Sequence, residues 1–534
     1  MHKRILVPIL IATALLGAEI KQPTDTQSSW GLSGQSETVG IYRDTSGQGA
    51  TGNNDGYTYR QELGLKSRGA LGSAKAGVEV RGRATNDKRV SQQDIELLSF
   101  RSYYRDNSFE IELGDVAKMY NPLIFSGALK GSKVGVKQHV GEDGSLEYSM
   151  IGGIQSSSWK DIFEQEQDQR DAIAGEIKYK HATAQFVALS TSYAKDRFND
   201  TNTSTLVDRN ASEALSVGLQ WDWRFSRYLR FKGDSAYTNT QNHYTGGQKE
   251  NKYGIRMTLY TKPIRAVSSN FKYERYDGGF VTLTGSAAQN RERLENTTTW
   301  SISRQVRSRL TLKGSRDNLD GTLGETQNIL DGLISLNYRP DFMKRGDFAL
   351  RVQYTSKNGR GSDTDQLNAG VDFSDRLKNG WRYGLGYEYT NYKVNDEANA
   401  TNYDNQLHTF RGQLAYKYNI TKTNRLRASL KFDISLFEHE DVTQQQTRYG
   451  GTFDAGYDYD RMFGVDGLFT SKNTDRDLSV NTSYELYQLI GQYKPFNDNS
   501  HVLKLRAQKR DYHGGTAAQS YVEDEVRLSY AFAF

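Results

Sequence analysis

The stretch Val526-Arg527-Leu528-Ser529-Tyr530-Ala531-Phe532-Ala533-Phe534 ends the chain, and its reading decides the fold. Val526, Leu528, Tyr530, Phe532 and Phe534 are apolar or aromatic, and the residues between them are small or polar. A period of two puts all five side chains on one face of a strand. Working backward, the same pattern recurs in Leu426 to Leu436, where Arg425, Arg427, Ser429, Lys431, Asp433 and Ser435 take the alternate positions. It recurs again in Trp381 to Tyr389 and in Phe348 to Tyr354. None of these segments keeps the 3.6-residue spacing of a helix.

The connections between such segments alternate in length. Short links lie near Lys180–Thr183, Arg224–Arg227, Thr261–Arg265, Arg304–Arg307, Asp375–Gly380, Asn419–Asn424, Asp458–Arg461 and Lys494–Ser500. Long polar segments separate them: Lys195–Ala211, Thr238–Asn251, Tyr276–Glu292, Ser315–Gln327, Thr355–Gln366, Asn391–Asn405 and Glu438–Gln446. Short turns at one end and long loops at the other are the arrangement of membrane-spanning barrels. Earlier strands are expected near Thr38–Arg43, Tyr57–Lys66, Ala74–Ala84, Ile95–Tyr104, Ser108–Gly114, Leu129–His139, Ser145–Gln155 and Ala172–Lys180. The expectation is therefore an all-β chain folded as a single antiparallel transmembrane barrel of about 26 strands, within a range of 22 to 26.

Composition agrees with this. Gly 50, Tyr 34 and Phe 22 stand against Pro 6, which suits strands that need every ladder donor and aromatic girdles at the interfaces. A mean hydropathy of −0.74 fits a wall in which only alternate residues face lipid. The absence of cysteine excludes disulfides, thiolate metal sites and covalent haem attachment to this chain. A net charge of +5 without a basic cluster gives no footprint for nucleic acid. At the start, Lys3 and Arg4 precede an apolar run from Ile5 to Leu16, followed by Gly17 and Ala18. That is the pattern of an export signal, with cleavage expected after Ala18 and Ala14 as the other acceptable site. The expected division is a signal peptide 1–18, a periplasmic segment 19–35 and a barrel 36–534 closed by strand 524–534, in the outer membrane of a Gram-negative-type bacterium.

The terminal strand also resembles the C-terminal β-signal of outer-membrane proteins, which implies recognition of Val526, Leu528, Tyr530, Phe532 and Phe534 by the barrel assembly machinery, with outer-membrane lipid as the surrounding partner. The alternation then assigns the other face to the lumen. Candidate lumen-lining cations are Arg230, Lys232, Arg256, Arg351, Arg382, Arg425, Arg427, Lys504, Arg506 and Arg527, with fewer acids such as Glu176, Asp234, Glu274, Glu388, Asp433 and Glu525. They are read either as solvated charges that neutralise one another or as a mildly basic lumen favouring anions.

No catalytic, cofactor-binding or metal-ligating grouping stands out, so an enzyme is not expected. The eight His are scattered; His439 beside Glu438, Glu440 and Asp441 is read as a solvated acidic loop in preference to a cation site. The apolar, Gly-rich segment from Leu113 to Gly131 is expected to fold into the lumen because Ile124 and Phe125 are costly to expose. Trp159–Glu166, with the spacing of a short helix, is a second candidate constriction.

A ring of about 26 strands has a backbone radius on the order of 25 Å, and the chain leaves no residues for a plug domain. The mature chain resembles the porin–cytochrome conduit barrels (MtrB/PioB type, decahaem-associated). That resemblance rests on the export signal, the Tyr-rich strands, the missing plug and Phe534. It implies a sheath around a multihaem c-type cytochrome in the lumen and an electron transfer conduit across the membrane, with no cofactor on the barrel itself. The chain departs from part of that family in lacking Cys-x-x-Cys near its start, and no residue's role carries over. The competing reading is a porin or exporter for anionic solutes or polysaccharide, narrowed by its own loops.

Overall fold

The computed structural model describes residues 30–533, apart from 48–55, 89, 92–93, 157–158, 160–168, 182–184, 198–211, 243–248, 281, 286–289, 320, 322–325 and 342–344. Also outside the description are 360, 378, 397–400, 440–444, 461, 477–480, 497–499, 515 and 517–518. Signal residues 1–18, Phe534, Glu440, Asp441 and the segment 160–166 of the expected short helix therefore lie outside the described residues.

Every element among the described residues is a strand, and the 26 strands β1 to β26 pair antiparallel with their chain neighbours. The ring closes where β1 (Gly31–Ser46) meets β26 (Tyr521–Ala533), from Gln35↔Ala533 to Ser46↔Val522. Closure follows from the sequence pattern: an apolar face turned to lipid leaves no water to satisfy a free edge. Val526 and Leu528 lie on the lipid side, exposed alongside the outward Leu505 and Leu503 of β25 (His501–His513). Phe532, on the same face, packs beside the His501 ring.

Following the pairing once around returns to β1 displaced by about 28 residues, which gives a tilt of roughly 36° and a backbone radius near 25 Å. Strands run from 10 to 19 residues, whereas crossing the bilayer takes about 9–11. The wall thus continues beyond the membrane, and this corrects two expected loops. Thr355–Gln366 is mostly strand, because β17 (Asp347–Asn358) and β18 (Ser362–Arg376) pair as far as Lys357↔Thr364. Within Asn391–Asn405, residues 391–396 and 401–405 are likewise strand, in β19 (Trp381–Asp396) and β20 (Thr401–Asn419). Outside the bilayer both faces are wet, so such residues can be polar and still extend a ladder. β1 also begins before residue 36, which places 31–35 in the wall instead of the N-terminal segment.

The turns at the end that carries both termini are built locally. In the turn from β4 (Ile95–Arg105) to β5 (Phe109–Met119), the Asp106 carboxylate accepts from the Ser108 and Phe109 amides at 2.7 Å each. These bonds hold its pKa below the usual aspartate range.

Two outcomes test this architecture. Leu430, outward on β21 (Arg425–His439), replaced by Arg should lower stability by about 2–4 kcal/mol in urea titrations in lipid vesicles, while Lys431→Ser on the other face changes it by under about 1 kcal/mol. Asp106→Asn removes a carboxylate whose native pKa is depressed, so its stabilising contribution is present above the unfolded pKa and lost as pH falls through the folded one. The gap between wild type and variant should be constant above about pH 5 and close on acidification; a gap that widens with acid would reverse the assignment.

Candidate functional site: an inward hairpin and a charged lumen

One hairpin leaves the wall. β5 pairs with β6 (Ser126–Val140) along its whole length, from Phe109↔Val136 to Met119↔Ser126. Its pairing with β4 stops at Arg101↔Gly114, and the pairing of β6 with β7 (Gly144–Gln155) stops at Lys130↔Ile154. Residues 115–129 are therefore a two-stranded ribbon with no neighbour in the ring among the described residues. Gly114 has a φ of +98°, and a Cβ there would lie 2.2 Å from the Phe100 carbonyl oxygen. A Cβ on Gly131 would lie 2.0 Å from the Gly152 oxygen. Only glycine permits the bend and the close approach. Asp115, next in line, stands in for the missing ladder: its Oδ2 accepts from the Phe100 amide at 2.6 Å, and Lys130 Nζ donates to its Oδ1 at 2.8 Å.

The tip lies against the inner face of the wall. Tyr120, Leu123, Ile124 and Phe125 are all buried, at 2% exposure or less. They pack with Ala172 and Ala174 of β8 (Gln169–His181), Ala194 of β9 (Gln185–Arg197) and Ala236 of β11 (Leu229–Asn242). On β10 (Ser212–Ser226), a Cβ at Gly218 would meet Ile124 Cδ1 at 2.4 Å. Small inward residues thus make a shallow seat for a second layer. Asn121 Nδ2 donates to the carbonyls of Leu219 and Ser235, at 3.2 and 2.9 Å. Thr284 Oγ1 donates to the Ile124 carbonyl at 2.8 Å, and the Ser126 amide donates to the Thr284 carbonyl at 2.8 Å. The connection from β13 (Val267–Tyr276) to β14 (Arg291–Ser301) therefore clasps the hairpin, with Phe280 and Leu283 in the same cluster.

Burying four such side chains yields roughly 6–12 kcal/mol, and fixing six tip residues costs about the same. The polar clasp decides the balance.

The ten candidate cations lie on the face opposite the outward Leu, Ile and Phe residues, the side on which the hairpin packs. Five have acidic partners: Arg230 with Asp222, Arg256 with Asp234, Arg351 with Asp372, Arg427 with Asp458 and Asp466, and Arg506 with Glu525. Lys232, Arg382, Arg425, Lys504 and Arg527 form no ion pair among the described residues, and Arg506 stands opposite Arg527 in the ladder. Sequence reading missed the densest charge, on β1 to β6. There Glu112 takes Arg101 at 2.8 Å with Arg105 and Lys133 at 2.9 Å, and Glu62 takes Arg83 at 3.1 Å and Arg81. Arg43 spans the closing seam, pairing with Glu525 at 2.5 Å and Glu523 at 3.5 Å. The signal was available in the alternation of Arg81 and Arg83 and of Arg101 and Arg105, but pairing them needed the register.

The fold defines the chain as a large, closed outer-membrane-type barrel with a channel-like architecture. No protein-family model matches it, and no curated protein does. Among solved structures, the translocation pore of the P pilus usher PapC is 10% identical, covering 94% of this chain and 99% of that one at a TM-score of 0.39. The siderophore receptor PirA from Pseudomonas aeruginosa is 9% identical, covering 96% and 81% at 0.40. OccK3 (OpdO) from the same organism is 10% identical, covering 94% and 96% at 0.31. At these values the likeness concerns barrel architecture alone.

Phe125→Ala should cost about 3–5 kcal/mol of packing at the tip and release the hairpin from its seat. Hydrogen exchange over 115–129 should then rise while the barrel's thermal transition holds; unchanged exchange would mean that the tip is held elsewhere.

Proposed function

We propose that this protein is a wide outer-membrane conduit whose lumen is completed by a separate occupant, with a multihaem c-type cytochrome as the first candidate. One observation carries the reading. Among the described residues, the inner layer formed by the hairpin and the β13–β14 connection covers the arc from β7 to β13, while the wall from β14 round to β26 has none. A backbone diameter of about 50 Å left that open would defeat the permeability barrier. Five of the ten inward cations are neutralised by acids of the wall, which weakens the case for an anion funnel, a device that needs uncompensated cations. The competing reading, a self-narrowed porin for anionic solutes, is favoured by the same hairpin, which does enter the lumen.

Gentle purification of the barrel from its native membrane separates the two. The conduit reading expects a haem-staining polypeptide in fixed stoichiometry and a c-type absorbance spectrum. A haem-free barrel that carries steady, anion-selective current alone in a planar bilayer would replace it with the porin reading.

A further inference from the structure

Beside the closing seam the inner wall sets like charges face to face. Arg527 on β26 stands directly opposite Arg506 on β25, where paired Cα atoms lie about 5 Å apart. Lys504, on the same face, is about 7 Å along the strand from Arg506. The wall positions that border Arg527 are all described, and they offer it no free carboxylate. Across the seam it faces Ile41, and Ser529 follows it on its own strand. Glu525, two residues before it, is already held by Arg43 and Arg506, one on each carboxylate oxygen. The charges acting most strongly on Arg527 are the like charges of Arg506 and of Arg60 on β2 (Gly56–Leu71).

The patch is also partly withdrawn from water. Val39, paired with Ser529 on one side and Arg60 on the other, is 1% exposed, so the long side chains around it lie over it. The Arg506 and Arg60 side chains are each 30% exposed. Their Nε atoms are buried without a hydrogen bond among the described residues, that of Arg60 lying 3.7 Å from Glu62. By contrast Arg376 and Arg382, which also face each other, are both exposed to water. Directly opposed like charges destabilise a sheet, more so where water screens them less, and a buried donor without an acceptor adds to the cost. One bound anion removes both penalties.

We propose that this patch is a receptor for a free phosphate-class oxyanion, held by the Arg527 guanidinium and the Lys504 ammonium with the Arg506 Nε–H as a further donor. A planar guanidinium meets two oxygens of such an ion at once, and phosphate keeps further oxygens for the other two groups. The inference needs only the barrel and its strand register, so it stands apart from the conduit reading, which haem content tests.

The probe is inorganic phosphate, titrated against chloride at equal ionic strength into the barrel in zwitterionic lipid vesicles. The urea midpoint should rise saturably with phosphate, and calorimetry should count one phosphate per barrel. Arg527→Gln should raise the midpoint in chloride, by removing the like-charge contact, and weaken phosphate about tenfold or more. Arg527→Lys, which keeps the charge and loses the fork, should bind with intermediate affinity. Lys431→Ser, on the inner face of β21, should match wild type in both respects. A midpoint that climbs without saturating, unchanged phosphate affinity in Arg527→Gln, or a lower midpoint for that variant in chloride overturns the receptor. So does phosphate binding that appears only after a high-salt wash of native membranes, since an acidic partner then owns the site.

Discussion

Every backbone N–H and C=O in the hydrocarbon layer must find a partner within the protein, and the rest of this structure depends on that constraint. It is why the first and last strands, nearly five hundred residues apart along the chain, meet over twelve paired positions. The seam carries charge as well as ladder bonds, since Arg43 reaches Glu523 and Glu525 from the other side of it. With the ring closed, strand number and shear fix the radius.

The hairpin at 115–129 is where the constraint is relaxed. Its two strands keep their bonds to each other and forfeit those to β4 and β7. Glycine at 114 and 131 makes the bend sterically possible. Asp115 recovers one lost bond, and alanine, serine and glycine on β8 to β11 give the tip a seat close to the backbone. The same departure that layers one arc of the lumen ends the pairing of β5 with β4 and of β6 with β7, and Trp159 packs against Phe100 and Asp115 at that point.

Much of this was legible in the sequence, and for identifiable reasons. Wherever one strand face touches lipid, the two-residue period is strong, so β17, β19, β21 and β26 could be read directly. The expected end of one strand at Gly114 and start of the next at Leu129 fall within about a residue of where the hairpin quits the wall, because the apolar alternation ceases there. What was not legible is that 115–119 and 126–128 remain strands. Their partner is each other, and their apolar side chains face protein. The extensions past the bilayer at Thr355–Gln366 and Asn391–Asn405 were hidden for the opposite reason: with water on both sides, an extended ladder and a loop have the same composition. Ion pairs such as Arg43–Glu525 were invisible because they depend on which strand closes on which.

Register also changes what the charges mean. As a one-dimensional count, the inward face carries more cations than acids, which suggests an anion path. Paired across strands, half of the proposed set is neutralised locally, and the nearly buried carboxylates of Glu62 and Glu112 each hold two or three basic groups. The cations left over include Arg382, Arg425 and Arg527, which sit on the arc that carries no second layer among the described residues. The lumen is therefore asymmetric twice, in shape and in charge. Among the described residues the layered arc joins apolar packing to paired charge, while the arc from β14 to β26 presents unpaired cations on a single wall.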